Sequence, residues 1–335
     1  MRWGAGLALV IGLTITTVLI VRQGFSEVGA EVWRGSGALL PLLLMRFVQI
    51  VLASVSWRIL LGQEAPARRF LLFVYRWIRD SINQLLPVGR VGGDLVGARL
   101  LVLGGTRLDV AAASVLADKT AEVFGLLGLS WTGLLLGWRL EFPGELMKWA
   151  TVGLSVFSLA IVAFYITQRL GLVKMAEHLV LKLGEAFRGK SAYRPGQTQE
   201  TLLAIYARPT RLLWASLLYF IEWSLGAVGI YFALKMMGHP IALTDAFVLE
   251  GLTQAIAAVA FVMPAGLGAQ EAGYMMVGEL LGLPSEVGLA LSLIRRVAEL
   301  IAGVPGIITW QALEGRHLFR KKRLAPAAAT QEEGS

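Results

Sequence analysis

Apolar residues along this chain fall into long blocks separated by short polar connectors, with no regular two-sided alternation. Blocks at 3–21, 38–62, 110–137, 148–167, 211–237 and 284–311 are each about as long as the ~20 residues an α-helix needs to cross a hydrocarbon core. The pattern predicts six spanning helices. Two more apolar regions, 70–104 and 244–282, carry proline and glycine at their centres, where a single helix would lose its hydrogen-bond ladder. Each is read as a broken or re-entrant helical hairpin of two short pieces. In the loop at 169–211, Leu172, Met175, Leu179, Leu183 and Phe187 recur at helical spacing, which fits an amphipathic interfacial helix or, equally, a solvated linker helix. The basic, alanine-rich stretch at 315–335 is expected to be a disordered tail.

Composition strengthens this reading. Of 335 residues, 56% are hydrophobic and only 16% charged, and the mean hydropathy is +0.65, more than a soluble domain tolerates. An all-α integral membrane protein is the expected fold class. The formal charge of +8 could suggest nucleic acid, but the basic residues follow apolar segments, where the positive-inside rule accounts for them. No nucleic-acid partner is expected. The absence of cysteine and the three scattered histidines (His178, His239, His317) argue against thiolate or multi-histidine metal sites. No glycine-rich nucleotide loop and no hydrolase or metalloprotease motif is present, so neither a cofactor nor a catalytic centre is expected.

Charge also orients the chain. The loop at 169–211 carries eight Lys/Arg against three acids, and the stretch after Gly315 carries five against two. With Arg68 and Arg69, these place both termini in the cytoplasm and the loops at 22–37 and 138–147 outside. Val28-Gly29-Ala30 resembles a signal-peptide cleavage site, but the unbroken apolar run at 3–21 is long for that role.

The two proline-glycine stretches are related. QLLPVGRVGGDLVGAR at 84–99 and MPAGLGAQEAGY at 263–274 superpose at an offset of 177, which pairs Pro87 with Pro264, Gly89 with Gly266 and Asp94 with Glu271. The same offset pairs Lys119 with Arg296, Ala121 with Ala298 and Glu122 with Glu299. By the orientation above, the first hairpin leaves from the inside and the second from the outside. The expected organisation is therefore two inverted repeats, 1–137 and 148–312, the plan of many secondary transporters.

Non-helical backbone at membrane depth is tolerated where protein, water or substrate satisfies its polar groups. Pro87, Gly89, Arg90, Gly92, Asp94 and Arg99 therefore form a candidate substrate cradle, with the helix that begins near Gly92 offering its amides to an anion such as phosphate. Arg90 and Arg99 would reinforce that attraction. Pro264, Gly266, Gly268 and Glu271 are the counterpart. The competing reading is a tight turn with ion pairs that hold the hairpin together. Lys119 and Glu122, like Arg296 and Glu299, lie three residues apart near the middle of a span, with Asp118 and Arg295 beside them. A charge at the bilayer centre costs roughly 2.5–3.5 kcal/mol on insertion scales, so these groups pair internally or line a wet cavity. They could bind a headgroup, carry coupling protons or serve as a structural zipper. Arg79, Asp80 and Asn83 precede Pro87 and could face the same cavity. Arg46, Arg58, Arg76, Glu222 and Glu250 are less informative, since several lie near helix ends where long side chains snorkel.

At these residues the sequence resembles a known family. Its N-x-L-L-P run followed by G-G-D/E stands here at 83–94, and its later P-x-G-x-G run followed by E stands at 264–271. The chain is similar, from about 3 to 313, to the flippase-like transmembrane domain shared with lysylphosphatidylglycerol synthases. RWIRDSINQLLPVGRVGGDLVGARLL at 76–101 further resembles the hopanoid-associated branch. The resemblance implies movement of a lipid between leaflets of the bacterial inner membrane, or its delivery to another membrane, with lipid-synthesis or lipid-export proteins as partners. Lysyl-transferring members carry an added soluble synthase domain that uses charged tRNA, and aminoacyl transfer is not expected here. Two other classes stay open: a membrane enzyme that modifies headgroups with Asp94 or Glu122 as general base, and a scaffold acting through the basic loop.

Overall fold

The computed structural model describes residues 25–66, 68–86, 91–171, 196–259 and 268–332. All regular structure among them is helical: α1 (Phe25–Arg34), α2 (Leu39–Leu61), α3 (Arg69–Leu85), α4 (Gly92–Leu103), α5 (Leu108–Arg139), α6 (Gly144–Arg169), α7 (Gln197–Tyr206), α8 (Pro209–Met236), α9 (Leu243–Val259), α10 (Ala269–Leu280) and α11 (Ser285–Glu332). Among the described residues, four runs are long and apolar enough to cross a membrane: Val28–Glu64, Leu108–Arg139, Gly144–Arg169 and Pro209–Met236. They contain the expected spans at 38–62, 110–137 and 148–167, and all but the last residue of the one at 211–237. The expected segment at 284–311 lies within α11, where Arg295, Arg296 and Glu299 dilute its apolar character, and it is not among the four. The expected helix at 3–21 and the amphipathic stretch at 172–187 lie outside the described residues.

Two expectations are corrected. The loop placed at 22–37 is helical from Phe25, and α1 runs through a 3-10 turn at Gly35–Ala38 into α2. Glu27, Glu31 and Arg34 interrupt the apolar run in the sequence, but Val28 and Val32, four residues apart, turn one face onto Met275, Leu289 and Leu293. The stretch expected to be irregular from 315 continues α11 to Glu332. Apart from Pro326, its Arg, Lys, Leu and Ala residues are good helix formers that extend an existing helix at little cost.

Helix α8 packs along both α2 and α5, α9 packs along α5, and α3 packs along α11. Glycine permits the closest crossings. A Cβ on Gly125 would stand 2.7 Å from the Phe220 amide nitrogen, and one on Gly133 would stand 3.1 Å from the Gly251 Cα. Small residues bring helices together in this way where lipid removes the hydrophobic drive for association. By contrast, α6 buries only Met147, Leu154 and Gln168 and exposes Val152, Val156, Leu159 and Phe164, as a lipid-facing helix would. Short α7 is tied to α5 and α6 through the Tyr206 hydroxyl, which donates to Gln168 Oε1 at 2.8 Å and meets Thr120 Oγ1 at 2.9 Å. Burial pushes that hydroxyl up to about 12, so it remains a donor at neutral pH.

The two regions read as hairpins each hold a pair of packed helices, α3 with α4 and α9 with α10. In the first pair the Gly93 amide donates to Asn83 Oδ1 at 2.8 Å, and a Cβ at Gly93 would run into the Arg79 carbonyl. Gly93→Ala is expected to lower stability by about 1–3 kcal/mol, as overpacking does. Thermal unfolding of the purified protein in detergent reads this directly, and an unchanged midpoint would contradict the packing.

Candidate functional site: a charged cavity between the helices

The site begins on α3. Arg76, Arg79, Asp80 and Asn83 are spaced three, four and seven residues apart, which puts them on one helical face. That face meets α5 at Asp118, which is fully buried. Asp118 Oδ2 accepts from Arg76 Nη1 at 2.6 Å and from Arg79 Nη1 at 2.5 Å, while Oδ1 accepts from the Tyr219 hydroxyl of α8 at 2.7 Å. Arg76 Nε lies 2.9 Å from Asp80 Oδ1, and its Nη2 lies 3.5 Å from Glu122. Arg79 Nε donates to Asp94 Oδ1 at 2.7 Å, and its guanidinium sits 5.2 Å from the centre of a Trp57 ring.

A second knot forms on α9, α10 and α11. Fully buried Glu250 is paired with Arg295 at 2.8 Å and accepts from Tyr274 at 2.6 Å and from Gln254 at 2.9 Å. Arg295 Nε lies 3.5 Å from Glu299. Arg296 reaches Glu271 at 2.9 Å, and Glu271 Oε2 in turn accepts the Gly268 amide at 2.7 Å. Both knots thus place a buried carboxylate against an arginine and a tyrosine. This arrangement satisfies charges that would be costly alone.

Between the knots lies a cavity of about 90 Å³. Arg46 and Gln49 of α2, Lys119 and Glu122 of α5, and Glu222 of α8 form one side of its lining. Asp80 and Asn83 of α3, Gln254 of α9, Gln270 of α10, and Arg295 and Glu299 of α11 complete most of the rest. Glu222 is 13 residues from Pro209 and 14 from Met236, the ends of α8. At about 1.5 Å per residue it is roughly 20 Å from either end. A second, apolar cavity of about 590 Å³ opens between α5, α6, α9 and α10, lined by Leu134, Phe157, Leu252, Ile256 and Val277 among others.

Of the residues singled out in the sequence, Asn83, Lys119, Glu122, Arg295 and Glu299 line the polar cavity. Arg79, Asp94, Glu271 and Arg296 form ion pairs beside it. Gly92 opens α4 and Gly268 caps α10. Arg99 is not brought to the cavity: it is exposed and paired with Glu314 of α11. The first turn of α4 also differs from the expected phosphate cradle, because Asn83 already takes the Gly93 amide and Asp94 supplies the negative charge that the helix end favours. Pro87, Gly89, Arg90, Pro264 and Gly266 lie outside the described residues.

Arg46, Arg76, Glu222 and Glu250, which the sequence reading set aside, are central. Arg46 falls at the midpoint of the run Val28–Glu64, and its side chain lines the cavity. The signal that identifies Arg76 is the polar stripe it shares with Arg79, Asp80 and Asn83.

Membrane-length apolar helices around a cavity lined by charge define a helical membrane protein. The chain matches the lysylphosphatidylglycerol synthase TM region over residues 7–306, and it belongs to that family of membrane proteins linked to lipid headgroups. No curated protein and no solved structure matches the chain.

Proposed function

We propose that the protein moves the polar headgroup of a lipid, such as a hopanoid or an anionic phospholipid, across or out of the bacterial inner membrane without changing it covalently. The observation that carries this reading is the charged cavity, walled by helices from both halves of the chain and lined by Glu222 midway along membrane-length α8. A headgroup crosses there while its tail stays in an apolar setting. Helix α9 separates the two environments, with Gln254 on the polar side and Leu252 and Ile256 on the apolar side.

Helix boundaries support an internal repeat. Gly92 and Ala269, Leu103 and Leu280, and Leu108 and Ser285 begin or end matching helices, each pair 177 positions apart. Asp94 and Glu271 both stand third in their helices. Packing is exchanged between the halves, since α3 lies on α11 and its counterpart α9 lies on α5. In this reading the repeats are inverted, both termini are cytoplasmic, and rocking of one half against the other opens the cavity to each leaflet in turn.

The full chain reconstituted in liposomes with labelled hopanoid or phospholipid is expected to exchange lipid between leaflets faster than protein-free vesicles. Equal rates would remove the reading. Mass spectrometry of the recovered lipid separates transport, which leaves it intact, from headgroup modification. Because the chain has no cysteine, single cysteines at positions 68 and 239 report topology cleanly. They are expected to be labelled from opposite sides, and labelling from one side would remove the inverted repeat.

A further inference from the structure

We propose that Glu222 carries a proton that crosses the membrane together with the headgroup, which extends the transport reading above by naming what drives it. The first observation is a charge count. Arg46, Arg76, Arg79 and Lys119 are linked to Asp80, Asp94, Asp118, Glu122 and Glu222, which is four cations against five carboxylates among the described residues. Arg295 and Arg296 face Glu250, Glu271 and Glu299, two against three. Among the described residues, each knot holds one carboxylate more than it has cations. Uncompensated negative charge at this depth is unfavourable, and a proton removes it.

The second observation selects the residue in the first knot. Asp80, Asp94, Asp118 and Glu122 each have a cationic nitrogen within 3.1 Å. Glu222 differs: its nearest cation, Arg46 Nη1, is 4.0 Å away, although the Glu222 side chain is only 10% exposed. The Gln49 amide, well placed to serve it, donates instead to the Glu222 main-chain carbonyl at 3.0 Å. The carboxyl group lines the cavity, and no hydrogen bond reaches it from another side chain among the described residues.

The groups around it suggest how a proton would be coupled to an anionic headgroup. Arg46 on α2 stands between Glu222 and Asp80, at 4.0 and 3.8 Å. Arg76 on α3 and Lys119 on α5 are held by Asp118 and Glu122. From the far side, Arg295 and Glu299 of α11 face the same space, and Glu250 of α9 abuts α8 at Gly226, one turn from Glu222. Arg46 is therefore the cation least committed to a partner in this knot. When water on one side delivers a proton and an O–H bond forms on Glu222, Arg46 loses half of its shared negative charge and is released to an anionic headgroup. When the cavity opens to the other side, the proton returns to water, the carboxylate reclaims Arg46, and the headgroup leaves.

Infrared difference spectroscopy of the full chain in lipid, titrated through neutral pH, is expected to show a carboxylic-acid carbonyl band that disappears on deprotonation. Glu222→Gln should lose this band, while Glu222→Asp, which keeps the acid, should show one at a displaced frequency. In liposomes, an imposed pH gradient should change the wild-type exchange rate and leave Glu222→Gln unresponsive. A wild type without the band, an identical band in Glu222→Gln, or a retained gradient response in that variant would each overturn the proposal. If the wild type shows the band but exchanges no lipid, the transport reading fails and the coupling with it, while Glu222 stands as a protonated group.

Discussion

Asp118→Ala is expected to cost about 3–5 kcal/mol, the range for removing one partner from a buried charge cluster, and to leave little protein that is monodisperse in detergent. Asp118 is fully buried and receives Arg76, Arg79 and Tyr219 together. Without it, Arg79 keeps only Asp94, while Arg76 keeps Asp80 and the more distant Glu122. Two guanidiniums then face one another in a low dielectric. Asp118→Asn should fall between, since it can still meet the Tyr219 hydroxyl but carries no charge. Thermal unfolding followed by size-exclusion chromatography checks both variants. Wild-type behaviour of Asp118→Ala would mean that cavity water solvates these arginines and that the knot is not what fixes α3 against α5.

Lys119→Ala is expected to do the opposite, sparing the fold and removing lipid exchange. The Lys119 side chain is 30% exposed and meets both Glu122 oxygens at 3.1 Å. Its loss does not strand Glu122, because Arg76 Nη2 lies 3.5 Å away on the other side. What disappears is a cation facing the cavity. A charged hydrogen bond contributes about 1.5–3 kcal/mol, and at about 1.4 kcal/mol per tenfold the exchange rate should fall roughly ten- to a hundredfold. Unchanged exchange by a well-folded variant would place the headgroup path away from this cavity.

Much of the architecture could be read along the chain. Apolar block length is a one-dimensional property, so four of the expected spans coincide with α2, α5, α6 and α8. Proline and glycine interrupt helices locally, and the helix pairs α3–α4 and α9–α10 flank the stretches where those residues cluster. The sequence erred where a helix is held by distant contacts: α1 was taken as a loop because Glu27, Glu31 and Arg34 mask a face whose partners, Met275 and Leu289, are far along the chain. It erred again at Arg99, whose carboxylate partner Glu314 is 215 residues away.

The repeat offset and the rarity of intramembrane charge pointed to Lys119, Glu122, Arg295 and Glu299, and all four line the cavity. Depth misled where only the nominal span was considered, because Arg46 and Arg76 looked like snorkelling side chains until their helices were placed.

By itself, then, the sequence determined that this is an all-helical membrane protein of the lysylphosphatidylglycerol synthase TM region family, with a few charges among its apolar helices. Those features depend on composition and on spacing within one helix turn, which a linear chain records. Only the tertiary structure decided that Arg76 and Arg79 share Asp118, that Glu250 holds Arg295, and that Glu222 faces the cavity with its nearest described cation 4.0 Å away. Pairing of buried charges is set by which helix faces meet across tens of residues of intervening chain, and no local pattern encodes that meeting.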